Sequence, residues 1–209
     1  MDPSDEVLLE QYRKTRDPML FKTLIRRFQN RLFNSAYRIL GNQEEAEEVV
    51  QETCIRIHQS IDQFAKSSSL SFAAWIFRIA HNTSYDIVRN RSRKKMSNTV
   101  VFDPTAEEFG ENGDGKTITQ LSDPTSDPAL KVDHHEQSQM IEKMLEQLPD
   151  SQRVVLILHD VEGFSYAEIA EIIGEKLGTV RSRLHYGRSK LKELLTPYYS
   201  AGPLSQSPR

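Results

Sequence analysis

Two short stretches gather the side chains able to hold a polyanion. "RNRSRKK" (89–95) and "RSRLHYGRSKLK" (181–192) each carry five Lys or Arg and no acid. Such runs neutralise phosphates and release counterions, which supplies affinity without reading sequence. The Ser, Asn, His and Tyr in and around them add what base edges and base faces require, namely hydrogen-bonding groups and stacking planes. Other chemistries lack their parts. Cys54 is the single cysteine, and His58, His81, His134, His135, His159 and His185 share no metal-ligand spacing with it. No glycine loop is built to cradle a phosphate. The expectation is a protein that binds, with no catalytic centre, no cofactor and no metal.

The net charge of −3 hides how the charges are placed. It is +4 over residues 1–95, −7 over 96–136 and 0 over 137–209. Two basic patches flanking an acidic connector fit a two-handed nucleic-acid binder. Two solubilising helix faces would account for the charges equally well. No apolar run is long enough to span a bilayer, and "MDPSDEVLLEQYRK" has neither the basic start nor the apolar middle of a secretory signal. With a lone cysteine, placed among apolar residues as a packed thiol, the expected location is a reducing cytoplasm, without insertion into a membrane.

The elements that must position these patches are helices. Ser4 is expected to cap a first one, and Asp17 followed by Pro18 opens a second that Gly41 ends. Along it Phe21, Leu24, Ile25, Phe28, Leu32, Ala36 and Ile39 recur at three- and four-residue steps. Asn42 and Glu45 read as a capping box for a third helix, whose stripe is Ala46, Val49, Val50, Thr53, Cys54, Ile57 and Ile61. A fourth carries Phe72, Trp75, Ile76, Ile79 and Ala80, with Trp75 assigned to the core. An irregular "HNTS" (81–84) is expected to interrupt it. Residues 96–136, rich in Asp, Pro, Gly, Ser and Thr, read as a linker. Its 41 residues reach about 135 Å stretched and about 35 Å as a relaxed coil. Helices resume near Gln137, with Asp150 or Ser151 expected to cap one that stops at Gly163. Ser165 with Glu168 boxes the next, ended by Gly174. Thr179 is expected to cap the last, which runs to about Leu195 before Pro197. The fold class predicted is all-α, with helical domains at 1–95 and 137–196, an acidic linker at 96–136 and a disordered tail at 197–209.

"AEIAEIIGEKLGTVRSRLHYGRSKL" (167–191) has the spacing of a helix-turn-helix. Ala170 allows the two helices to cross closely, Gly174 tolerates the positive φ of the turn, and Val180 anchors the second helix. At 100° per residue, Val180, Leu184, Gly187 and Leu191 face inward. Ser182, His185 and Ser189 then face outward, with Arg181 and Tyr186 on the flanks. Arg181 suits a bidentate contact to guanine, while Arg183, Arg188, Lys190 and Lys192 suit phosphates.

The stretch "LPDSQRVVLILHDVEGFSYAEIAEIIGEKLGTVRSRLHYGRSKLKELL" (148–195) resembles the −35-binding domain of extracytoplasmic-function (ECF) sigma factors of bacterial RNA polymerase. "EEAEEVVQETCIRIHQSIDQF" (44–64) resembles that family's polymerase-binding helix, and "WIFRIAHNTSYDIVRNRSRKK" (75–95) its −10-reading segment. The resemblance implies a factor that docks on core polymerase and directs promoter-specific initiation. Glu48, Gln51 and Glu52 would meet the clamp helices of the largest subunit. Asn82, Thr83, Ser84 and Tyr85 would form the loop that captures a flipped base of the non-template single strand, beside Arg89, Arg91, Arg93, Lys94 and Lys95 on phosphates. Thr179, Arg181, Ser182, Arg183, His185, Tyr186, Arg188 and Ser189 would contact the −35 duplex. An anti-sigma partner is expected, and the acidic linker would thread the channel where RNA will lie. Cys54, His58, His81, His185 and Tyr186 depart from commoner family residues, so the −35 sequence preference does not carry over. The alternative reading is a stand-alone helix-turn-helix regulator. It accounts for residues 138–195 and leaves the acidic helix and "RNRSRKK" unexplained.

Overall fold

A computed structural model describes residues 3–67, 70–97 and 140–201, and among these every regular element is helical. The first lobe holds α1 (Asp5–Thr15), α2 (Pro18–Leu40), α3 (Gln43–Ser67) and α4 (Phe72–Ser97). The second holds α5 (140–146), α6 (Asp150–Leu156), a π-helical turn (Ile157–Val161), α7 (Tyr166–Ile173) and α8 (Leu177–Ala201).

Local chemistry sets most of the boundaries. The Ser4 hydroxyl accepts the Val7 N–H, and Asp17 accepts that of Met19 with Pro18 at the first helical position. Each satisfies an amide that the first helical turn leaves without a carbonyl. Gly41 ends α2 at φ +64°, a left-handed conformation that glycine adopts without strain. Ser165 and Glu168 close the full reciprocal capping box of α7. At α3 only half the expected box forms. Asn42 Oδ1 accepts the Glu45 N–H at 3.0 Å, but the Glu45 carboxylate turns away to Arg91.

The apolar faces of α1–α4 meet around Leu24, Phe28, Leu32, Ile57, Ile61, Ile76 and Phe77. Trp75 packs on this core, stacked on Phe64 at 4.8 Å between centroids. Cys54 is half-buried against the same core, and burial raises its thiol pKa. In the second lobe Val155, Ile157, Leu158, Ile169, Ile172, Val180 and Leu184 form the centre. The two lobes are packed together, α4 lying along α7 and α2 touching α6 and the π-turn.

Four expected boundaries are corrected. "HNTS" does not interrupt α4, because Thr83 and Ser84 return their hydroxyls to the Ile79 and Ala80 carbonyls at 3.0 and 2.9 Å, which suits the helix despite their propensity. Pro149 occupies the N-cap of α6, so neither Asp150 nor Ser151 caps it, and Asp150 pairs with Arg153 instead. Thr179 lies inside α8, since the Lys176 carbonyl already accepts the Thr179 and Val180 amides and starts the helix at Leu177. Pro197 stands within α8, which continues to Ala201. A proline costs its own hydrogen bond without ending a helix whose later residues keep their partners. The linker stretch 98–136, the side chains of Lys94 and Lys95, and the tail beyond Ala201 lie outside the described residues.

Candidate nucleic-acid interface

The second basic patch is mounted on α8, and packing decides which way it points. Val180 and Leu184 are fully buried, so the opposite face is forced outward. Gly187 completes the anchor. A Cβ there would sit 2.9 Å from Leu156 Cδ1 and 3.4 Å from the Gln152 Cβ, so the absence of a side chain lets α8 lie against α6. Gly174 makes the turn at φ +69° and closes α7 by donating its N–H to the Ala170 carbonyl. Arg181, Ser182, His185, Tyr186 and Ser189 are all exposed, as their spacing predicts. Tyr186 is 63% exposed, edge-on to His185 at 5.5 Å. Ser182 donates to the Thr179 carbonyl at 3.0 Å.

Two arginines of this patch are already engaged. Arg183 is half-buried and holds Glu175 at 2.9 Å, and Arg188 pairs with Asp160 in the π-turn. The expectation that they are free for phosphates is corrected in this conformation. Lys190 pairs with Glu193 at 3.2 Å with both side chains exposed, an ion pair that costs little to exchange for DNA.

The first basic patch continues α4 past the core. Asn82 and Tyr85 are exposed, but Thr83 and Ser84 are buried, at 5% and 2% exposure. The expected capture loop is therefore a helix here, with two of its four members turned inward and hydrogen-bonded. His81 stacks with Tyr85, 6.5 Å between ring centroids. Burial is the main reason its pKa is lowered, aided by Arg183 and opposed by a hydrogen bond with Asn82, so the imidazole is neutral at pH 7. Arg89 and Arg93 are exposed. Arg91 is tied to Glu45 and to the Leu40 carbonyl at 3.2 Å, so it braces α4 against the start of α3 rather than standing free for phosphate.

On α3 the face opposite the core presents Glu48 and Gln51, with Glu52 held by Arg56 at 2.7 Å. Ile55, 53% exposed, continues this stripe one turn on. Reading Ile55 as part of the core-periodic helix hides it; its offset of three and four from Glu52 and Gln51 is the signal that finds it. Among the described residues no group of His, Cys, Asp and Glu is arranged to hold a metal, and no helix is long and apolar enough to cross a membrane.

Known proteins share both lobes in this order. The family model for sigma-70 region 2 matches residues 24–94, and that for sigma-70 region 4 matches residues 138–191. The chain is 35% identical to the ECF RNA polymerase sigma factor SigE of Mycolicibacterium smegmatis, over 85% of this chain and 62% of that one. It is 33% identical to the ECF RNA polymerase sigma factor SigW of Bacillus subtilis, over 87% of this chain and 92% of that one. Its fold is similar to that of the sigma factor RpoE of Bartonella quintana, solved in complex with the anti-sigma factor NepR. There the TM-score is 0.60 and the identity 28%, over 84% of this chain and 96% of that one. With both sigma-70 regions matched and SigW covered nearly end to end, the chain belongs to the ECF sigma factors of RNA polymerase.

Proposed function

We propose that this chain directs core RNA polymerase to promoters by reading a −35 duplex with α8 and a −10 strand with α4. The observation that carries the reading is the exposed row Arg181, Ser182, His185, Tyr186 and Ser189, held outward by buried Val180 and Leu184. A helix presented in this way fits the major groove, where its N-terminal residues reach base edges. Arg181, exposed near the start of α8, takes the bidentate role. Glu48, Gln51, Glu52 and the adjoining Ile55 form the face offered to the clamp helices of the largest polymerase subunit. Acids ringing an apolar residue combine steering with burial. Asn82 and Tyr85 are the first members of α4 to meet the separated strand, while Arg89 and Arg93 hold its backbone. Thr83 and Ser84 join only if α4 unwinds locally.

The chain supplies recognition and leaves the chemistry to polymerase, working in the cytoplasm. An anti-sigma protein regulates it, in the way that the Bartonella sigma factor is held in complex with NepR. The acidic connector, residues 96–136, spans the two promoter elements and enters the RNA channel. The test is reconstitution with purified core polymerase and mapping of RNA 5′ ends. Promoter-specific starts that disappear in Arg181→Ala support the reading. Binding to duplex promoter DNA without any dependence on core would favour the stand-alone regulator.

A further inference from the structure

The seam between the lobes is a built interface. Phe164, 5% exposed, leaves the turn before α7 and meets Phe77 of α4 edge-on, with ring centroids 5.0 Å apart. The Arg31 guanidinium lies 5.3 Å from the same Phe77 ring and donates to Glu162 Oε2 at 3.0 Å. The Glu162 side chain is only 4% exposed, against 43% for Arg31. At one end of the seam the Ser71 hydroxyl donates to Glu168 Oε1 at 3.0 Å. Arg31 and Glu162 are 131 residues apart in sequence, so neither periodicity nor spacing reveals the pair.

This closure covers what the lobes are meant to read. His81, Asn82 and Tyr85 of α4 face Ile173, Glu175 and Arg183 of the helix-turn-helix lobe across a cavity of about 510 Å³. A strand approaching Asn82 from that side meets α8 instead. Two promoter elements about two DNA turns apart, at about 34–36 Å per turn, cannot both be met while α4 lies against α7.

We infer that the chain by itself closes on this seam, and that the Phe77–Phe164 and Arg31–Glu162 contacts form an intramolecular latch which must open before promoter binding. The inference rests on the reading of α4 and α8 as the −10 and −35 readers. The latch is specific because the buried Glu162 carboxylate has the Arg31 guanidinium as its hydrogen-bonding partner, and because Phe164 buries its ring against the first lobe.

The test uses the full chain with Cys54→Ser and dye-labelled cysteines at Lys22 and Lys192, both exposed and on different lobes. Single-molecule energy transfer then reads the inter-lobe distance without polymerase. The wild-type seam should give one narrow, compact population. Arg31→Glu or Glu162→Lys, each placing like charges together, should raise the open fraction roughly tenfold or more. The double variant, with the charges exchanged, should close again, which a folding defect would not do. With core polymerase and no other protein, the single variants should initiate faster than wild type at limiting concentration, and the double variant should not. A broad wild-type distribution, or no shift in the single variants, overturns the latch. Opening without faster initiation overturns its inhibitory role. Absence of promoter-specific starts in every variant overturns the reading of the chain as a promoter reader, while the distance measurement still decides closure.

Discussion

The two basic helices, α4 and α8, solve different problems with similar residues. On α8 the reading side chains already stand in solvent on a rigid helix, fixed by Val180, Leu184 and Gly187 behind them. On α4 half the reading residues are folded inward, with the Thr83 and Ser84 hydroxyls bonded to their own helix and Arg91 bonded to Glu45. Duplex DNA displays its code in the groove, so a preformed face suffices. A base read after strand separation needs a pocket that exists only when the strand arrives. The contrast assigns rigidity to the first step of recognition and rearrangement to the second.

Removing the anchor of the rigid helix is the most severe way to break this contrast. Leu184→Ala, at a site 1% exposed, should cost the second lobe about 2–5 kcal/mol. Chemical denaturation should show that loss, with −35 protection gone and first-lobe binding to core polymerase kept. Arg181→Ala leaves the fold intact and should weaken −35 duplex binding by about 1–3 kcal/mol. Titration of a promoter fragment by the assembled holoenzyme measures it. Asn82→Ala should do the reverse, leaving duplex affinity unchanged while permanganate-reactive thymines in the melted region diminish. If both variants fail at the same step, the division of labour is wrong.

Thr83→Val sharpens the point at smaller scale. The helix loses only a hydroxyl bond to the Ile79 carbonyl, so stability should change by about 1 kcal/mol or less. A clear loss of open complexes beyond that would show that the hydroxyl turns outward during melting.

The smallest expected effect is acidic. Burial raises the Glu162 carboxyl pKa, against the opposing pull of Arg31 and Arg38. A carboxyl whose pKa is higher in the closed form than when solvated binds its proton more readily there. Closure is therefore favoured below the solvated pKa, and that advantage is lost as pH rises through the closed-form value. The compact population should grow slightly across the weakly acidic range just above the ordinary carboxylate pKa, and Glu162→Gln should abolish the dependence.

What is legible in the sequence is local. Ser4, Asp17–Pro18, Gly41, the Ser165–Glu168 box and Gly174 act on amides within a turn of themselves, and the helices obey them. The outward row of α8 is legible too, because one buried stripe determines the opposite face. Expectations fail where packing overrides a local signal. Thr83 and Ser84 look like breakers, yet burial on α4 holds them helical. Gly178 and Thr179 look like a turn and a cap, yet the Lys176 carbonyl starts α8 before them. The Arg31–Glu162 pair is invisible because only the folded chain brings its members together.

The π-turn at Ile157–Val161, where the Glu162 amide reaches back five residues to the Ile157 carbonyl, holds one residue more than an ordinary helical turn. Deleting a single residue there would let the segment relax to α-helical winding and rotate everything beyond it by about 100°. Glu162 and Phe164 would then swing off Arg31 and Phe77 together. A one-residue shortening of this coil would thus unfasten the molecule without altering either surface that meets DNA, making the extra residue a setting for how readily the factor goes to work.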